Sequence, residues 1–336
     1  MAMTLVESAK LSNDVLQVGV AEKIVYDDPI LERLQFKEVK GNGLTYNIET
    51  TMASAQFYGV GDVWVESTSV VTPTTAVTTI LGGDADVDNF LVATRSNVND
   101  LMAEQVDAKT KAVKKAFMDM FFYGYYNAGA GFDAKGFDGL HALIKSQAAT
   151  ATVYENTVCV AATSGTAFLL SLAQLEEAVD DIKETKPDLI VMSKAMRRNL
   201  NKYLNGVGGI TKMDIQGKTV QTLFDVPVAV SDYIINTEDA TKDYSGATAV
   251  YGFDYTVGTA KSTTSDAGTT IFVLKFDPAG VCGIQTEGGI KVEKFDKLET
   301  KDASRIRIKW YPGLMLQRII WASKVSGILV AGVHTA

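Results

Sequence analysis

The sequence predicts an α+β fold, because strand-type and helix-type segments segregate along the chain instead of alternating strictly. Helical spacing is concentrated between about residues 96 and 204, whereas period-two runs begin near residue 43 and return beyond residue 226. Abundant Thr, Val and Gly with only six prolines favour strands and turns beside a few clear helices.

At 336 residues the chain exceeds the usual single-domain size. Two substructures, or one elongated subunit with extended arms, are therefore expected. Hydrophobic residues make up 46% and charged residues 21%, which excludes a generally disordered or collagen-like chain. The net charge of −8 lacks the overall basic footprint of a nucleic-acid binder, leaving room only for local basic patches. Cys159 and Cys282 fit neither a disulfide framework nor a CxxC spacing and read as ordinary buried thiols. The N-terminus, MAMTLVESAKLSNDVLQ, carries charges throughout and is neither a signal peptide nor an anchor, and no later segment is apolar for long enough to span a bilayer. No membrane partner is expected, and synthesis and assembly are expected in the cytoplasm.

Residues up to about Phe36 read as an amphipathic arm, with Val15, Leu16, Ile24, Ile30, Leu31 and Leu34 among charges and Pro29 interrupting any helix. Alone, such an arm has little to fold against. From Gly43 the period is two, with Leu44, Tyr46 and Ile48 on one face of a strand and Thr45, Asn47 and Glu49 on the other. Thr50 to Leu81 reads as an extended hairpin turning at Gly59-Val60-Gly61-Asp62. Phe57, Tyr58 and Trp64 surround that turn, and apolar groups at a solvent-facing tip mark a surface that something covers. The cover is either a neighbouring subunit or the domain's own core, if the hairpin folds back.

Ser96 to about Tyr126 follows i, i+3, i+4 spacing through Val98, Leu101, Met102, Val106, Val113, Phe117, Met120 and Phe121, which predicts one long helix. Acidic Asp100 and Glu104 precede Lys109, Lys111, Lys114 and Lys115, an order that complements the helix dipole. The glycine-rich segment Asn127 to Gly131 is expected to end it. A second helix is predicted over Ser171–Thr185, stopped by Pro187, then a buried strand over Asp188–Met192 and a helix over Lys194–Leu204. Gly206 to Gly217 reads as a flexible loop. Strands are predicted at 226–230, 248–257, 270–276, 289–294 and 304–311, and Leu314 to Val330 is a last apolar stretch.

Catalytic signatures fail on inspection. Gly129-Ala-Gly131-Phe-Asp-Ala134 matches GxGxxA but follows a helix, whereas a dinucleotide loop follows a strand and opens a helix. Gly206-Val-Gly208-Gly209 lacks the Lys-Ser/Thr of a phosphate loop. With only His141 and His334 available, and neither GxSxG nor HExxH, His141 reads as a structural residue and a hydrolytic enzyme is disfavoured. No catalytic, metal or cofactor site is predicted. Asp84-Ala-Asp86-Val-Asp88-Asn89 opens like a calcium loop, yet Asn89 and Arg95 occupy the positions that need Gly and Glu. On a strand those three aspartates share one face, which calls for an ion-pair role between subunits or within the chain, or solvation, ahead of a divalent cation.

Several phrases occur in order along nearly the whole chain: Gly41-Asn-Gly-Leu-Thr-Tyr-Asn47, Gly82-Gly-Asp-Ala-Asp-Val-Asp-Asn89, Thr94-Arg-Ser-Asn97, Phe137-Asp-Gly-Leu140, Phe224-Asp-Val-Pro-Val228 and Trp310-Tyr-Pro-Gly313. In these the chain resembles the major capsid proteins of tailed bacteriophages, which share the Hong Kong 97 type fold. The resemblance implies an N-terminal arm at 1–39 and an E-loop at 40–84. It further implies a peripheral domain at 85–159, to which 286–320 return, and an axial domain at 160–285, to which 321–336 return. Gly206, Gly208 and Gly209 would then lie in a loop facing the five-fold and quasi-six-fold axes.

The implied function is self-assembly, as pentamers and hexamers, into an icosahedral head enclosing phage DNA without sequence-specific binding. Phe57, Tyr58, Trp64, Asp84, Asp86 and Asp88 would be contact residues between subunits, and the virion the final location. A portal and a separate scaffolding protein are the expected partners, since no room precedes the arm for a fused scaffold. The sequence has no lysine between Lys40 and Lys109, so the lysine crosslink of the family's chain-mail variety is not expected. An encapsulin-like nanocompartment shell of the same fold is the alternative.

Overall fold

The computed structural model describes residues 28–51, 53–90, 101–124, 135–144, 168–207, 218–236, 267–295 and 301–333, together with shorter pieces at 3–4, 19–20, 22–24, 94, 126, 211–215, 238–239, 253–254, 259–260 and 298. The first elements are β1 (Met3–Thr4), α1 (Pro29–Arg33), β2 (Gln35–Val39), β3 (Gly43–Thr51), β4 (Val70–Val77), β5 (Leu81–Asp88) and α2 (Leu101–Tyr123). They are followed by β6 (Phe168–Leu170), α3 (Leu172–Asp180), β7 (Leu189–Met192), α4 (Lys194–Val207), β8 (Thr211–Ile215), β9 (Lys218–Leu223), β10 (Val226–Val230) and β11 (Glu238–Asp239). The last are β12 (Phe253–Asp254), β13 (Thr259–Ala260), β14 (Ala267–Leu274), β15 (Val281–Thr286), β16 (Lys291–Phe295), β17 (Ala303–Trp310), β18 (Pro312–Leu316) and, after a 3-10 turn, β19 (Ala322–Val333).

A central mixed sheet runs β6-β19-β14-β7-β10-β9-β8. All four residues of β7 are buried because the sheet is covered on both faces, which is why this strand reads as an unbroken apolar run. Leu189 and Val191 join Phe272 and Leu274 in one core, while Ile190 and Met192 join Ile271 and Val273 in the other. The second core is capped by α3 with the turn after it, through Leu175, Ala178 and Ile182, and by α4, through Met196, Leu200 and Leu204. Ser171 opens α3 with a capping box to Gln174.

The first core is built on α2, whose Phe117, Phe121 and Phe122 are fully buried. Phe117 packs 4.5 Å from Trp310 of β17 and 6.2 Å from Phe36 of β2. Val20, Ile24, Ile30, Leu31 and Leu34 of the presumed arm lie in this same core, so the arm has far more to fold against than its sequence shows. Pro29 does not interrupt a helix there; it begins one. Its missing N–H falls at the first turn, and the Asp28 carboxylate accepts the Ile30 N–H at 3.0 Å.

Three further expectations change. The long helix ends at Tyr123, ahead of the glycine-rich segment, and at Gly124, which follows it, a Cβ would lie 2.2 Å from the Phe137 carbonyl oxygen, a crossing only glycine allows. The segment 127–131 lies outside the described residues. The helix from Ser171 stops at Asp180, well before Pro187. Residues 206–217 are not a plain loop: Gly206 belongs to the last turn of α4, and β8 pairs antiparallel with β9. Of the strand expected at 248–257, only Phe253–Asp254 is described. Among the described residues no helix is long and apolar enough to cross a membrane.

Candidate functional site

The hairpin of β3 and β4 pairs antiparallel from Gly43 against Val77 to Glu49 against Val71, after which the register shifts by one residue so that Thr51 faces Val70. Its root is anchored by Tyr46, Ile48 and Ala76, which pack with Ile284 and Met315 in a small core of their own. Among the described residues between Thr51 and Val70 no side chain is buried in this way. The tip turns at Gly59–Asp62, with Gly61 at φ +95°, the Asp62 N–H donating to the Gly59 carbonyl at 3.3 Å and the Asp62 carboxylate accepting the Gly59 N–H at 2.5 Å.

Around that turn the predicted aromatics do not fold back onto the core. Phe57 is 108% exposed and Trp64 79%, and Val60, Val63 and Val65 are exposed with them. Tyr58 lies against Trp64, and its phenol oxygen accepts the Val65 N–H at 3.1 Å. The loop is therefore internally held, and among the described residues Phe57, Val60, Val63, Trp64 and Val65 stand exposed along it. The three exposed valines lie beyond the aromatics that the sequence singles out, and their position beside the turn glycines is the signal for them.

Asp84, Asp86 and Asp88 occupy alternate positions of β5 and do share a face. The structure supplies intrachain partners: Arg307 stands directly across from Asp84 and Arg305 from Asp86 in the antiparallel register with β17. Arg307 donates to both oxygens of Asp84 at 2.6 Å, and Arg305 to both oxygens of Asp86 at 2.6 and 2.9 Å. Lys301 adds a third cation, 2.5 Å from Asp86. Hydrogen bonding from Arg307 holds the Asp84 carboxyl below the usual range, and bonding from Arg305, then Lys301, does the same for Asp86. Asp88 instead accepts the Phe90 N–H at 2.8 Å. Alternation in Ser304-Arg-Ile-Arg-Ile-Lys-Trp310 was the sequence signal for these partners, since it places Arg305, Arg307 and Lys309 on one face.

His141 is fully buried, stacked on Tyr123 with ring centroids 5.1 Å apart and edge-on to Phe272 at 4.9 Å. Desolvation pushes its imidazole below the ordinary pKa, opposed by Glu238. Glu238 accepts hydrogen bonds from Tyr123 and Thr270, and buried Lys324 donates to the His141 carbonyl at 3.1 Å. These groups tie the end of α2 to β11, β14 and β19 inside a packed interior. Cys282 is buried and its thiol is pushed up to about 11 by desolvation; Cys159 lies outside the described residues. Among the described residues no group of three His, Cys, Asp or Glu is placed to hold a metal. Gly206 lies in the last turn of α4, and Gly208 and Gly209 lie outside the described residues.

Residues 11–267 match the family model of the SU10 major capsid protein. No curated protein matches the chain. Among solved structures, the holo-SrpI encapsulin complex from Synechococcus elongatus PCC 7942 is similar with a TM-score of 0.59 and 13% identity, covering 91% of this chain and 89% of that one. The capsid of an empty GTA particle is similar at TM-score 0.56 and 12% identity, over 89% of each chain. A Microbacterium phage Oxtober96 structure is similar at TM-score 0.53 and 12% identity, over 90% of each chain. At these identities the likeness concerns the fold, which is the Hong Kong 97 type.

Proposed function

The chain belongs to the SU10 major capsid protein family, and we propose that it works by docking the exposed tip of its β3–β4 hairpin onto a neighbouring copy in the shell. The carrying observation is the apolar surface of Phe57, Val60, Val63 and Trp64, held in shape by its own turn and stack yet uncovered in the single chain. Burying it contributes about 25 cal/mol per Å² of apolar area at each contact, and many weak contacts multiply across a closed shell.

On this reading residues 1–39 form the N-terminal arm, 40–84 the E-loop, 85–159 with 286–320 a peripheral domain, and 160–285 with 321–336 an axial domain. Copies assemble as pentamers and hexamers in the host cytoplasm, with a separate scaffolding protein and a portal, and the shell confines double-stranded DNA. The net charge of −8 suits a container that does not grip the DNA, because dense cationic contacts would hold it in place. The role is structural, not catalytic.

A nanocompartment shell is the second reading, favoured by the likeness to the SrpI encapsulin. Electron microscopy of the expressed chain, alone and with a candidate scaffold, tests both. Closed particles are expected, and protein that stays monomeric under all conditions would overturn them together. Nucleic acid inside purified particles supports the phage head; enzyme cargo supports the nanocompartment.

A further inference from the structure

The helices α3 and α4 cover the same face of the central sheet and turn opposite charges to solvent. On α3 and the turn after it, residues 172–184 carry five carboxylates, Glu176, Glu177, Asp180, Asp181 and Glu184, against the single cation Lys183. On α4, residues 194–207 carry Lys194, Arg197, Arg198 and Lys202 and no carboxylate. The apolar spacing of each helix dictates this arrangement. Leu175, Ala178 and Ile182 go inward, which leaves Glu176, Glu177 and Asp180 outside; Met196, Leu200 and Leu204 go inward, which leaves Arg197, Arg198 and Lys202 outside.

Among the described residues each face keeps charges that no ion pair of the chain uses. Lys194 pairs with Asp232 at 2.5 Å and Glu184 with Arg318 at 2.6 Å, but among the described residues Arg197, Arg198 and Lys202 have no carboxylate within ion-pairing distance. Glu176, Glu177 and Asp180 likewise have no cation there. A basic helix face is unexpected on a chain of net charge −8, and it stands on the same side of the sheet as an acidic face of similar size.

We infer that the α4 face of one copy docks against the α3 face of the next, as the charge-complementary contact between neighbours around a ring. The inference rests on the shell-forming reading and adds a surface independent of the hairpin tip. Where each copy gives its α4 face to one neighbour and its α3 face to the other, the interface is head-to-tail, and it closes into a ring when the rotation per copy divides the circle. Opposite fields also steer copies into the correct register and reject face-to-face pairing of like helices. Nucleic acid is the other chemistry a basic helix attracts, but it would leave the acidic face on α3 without a use.

The test uses three full-length variants: Arg197→Glu with Arg198→Glu, Glu176→Lys with Glu177→Lys, and all four together. Because the substituted positions are exposed, each monomer is expected to melt within about 2 °C of wild type, as surface changes usually do. Either double reversal is expected to lower the yield of assembled particles at least tenfold at low salt, and the fourfold variant to recover it to within about twofold. If a reversal lowers the monomer melting temperature, Arg197→Gln with Arg198→Gln and Glu176→Gln with Glu177→Gln replace it, each expected to weaken assembly and flatten its salt dependence. Assembly untouched by the α3 reversal, or not restored by the fourfold variant, overturns the contact. Nucleic acid lost from the particles only when α4 is reversed assigns the basic face to nucleic acid instead. Wild-type chain that forms no particles sinks the shell reading, whereas wild-type particles indifferent to the reversals sink this contact alone.

Discussion

The indole of Trp64 stacks on the ring of Tyr58 with centroids 4.5 Å apart and planes 23° from parallel, at the unsupported end of a long hairpin. An offset aromatic pair of this kind contributes about 0.5–1.5 kcal/mol beyond its buried area. In the single chain that energy shapes a loop, since neither ring belongs to a buried core of the described residues.

Trp64→Ala is therefore expected to leave the monomer's melting temperature within about 2 °C of wild type while assembly is lost or markedly weakened. Thermal melts of the monomer, read beside light scattering or electron microscopy of the assembly reaction, separate the two effects. A parallel fall in both would place Trp64 in the subunit's own core.

The charged ladder on β5 and β17 has a pH window of its own. Its carboxyls are held below the ordinary range by Arg307 and Arg305, so their contribution is complete above the unfolded carboxyl value of about 4 and is lost as pH falls through the folded values. Melting temperature followed from pH 6 to pH 2 is expected to drop more steeply in wild type than in an Asp84→Asn, Asp86→Asn variant. Equal slopes would mean that the ladder is solvated and contributes nothing.

How much of this was legible in the sequence depends on how far apart the partners are. The period-two face of Tyr46 and Ile48, the turn at Gly59–Asp62, the apolar run of β7 and the shared face of Asp84 and Asp86 are local patterns, and each appears where it was expected. The cations that pair with those aspartates lie more than 200 residues further along, so local charge repulsion was visible while its solution was not. Pro29 is ambiguous for a related reason, since a proline breaks a helix or starts one depending on where the helix begins. The burial of Ile30, Leu31 and Leu34 against α2 is a tertiary fact that no spacing within the arm encodes.

Gly124 and Gly139 mark a close backbone crossing. A Cβ on Gly124 would stand 2.2 Å from the Phe137 carbonyl oxygen and 2.6 Å from that of Met120; one on Gly139 would stand 2.4 Å from the Met120 carbonyl oxygen and 2.7 Å from the Gly124 nitrogen. The neighbours are backbone and cannot swing aside, and the Gly139 N–H donates to the Gly124 carbonyl at 2.8 Å. Gly124→Ala is expected to destabilise the subunit by about 3 kcal/mol, at the upper end of overpacking penalties. Denaturant unfolding measures it, and a loss under about 1 kcal/mol would show that the crossing yields.

Asp119 lies half-buried on α2, and desolvation raises its carboxyl from 3.8 to about 6 against a small opposing pull from Lys115. A group whose folded value lies above its unfolded one stabilises fully below the unfolded value, and that stabilisation disappears as pH rises through the folded one. Between about pH 4 and pH 7 the Asp119 contribution therefore runs opposite to acid denaturation, and wild type gains stability from this residue on mild acidification. Two pKa units correspond to about 3 kcal/mol, and partial exposure brings the expected effect to about 1–2 kcal/mol. Asp119→Asn, isosteric and uncharged, is expected to raise the melting temperature at pH 7 and to leave it nearly unchanged at pH 4. A variant less stable than wild type at pH 7 would mean that the Asp119 carboxylate has a cationic partner in solution, and that burial does not set its charge.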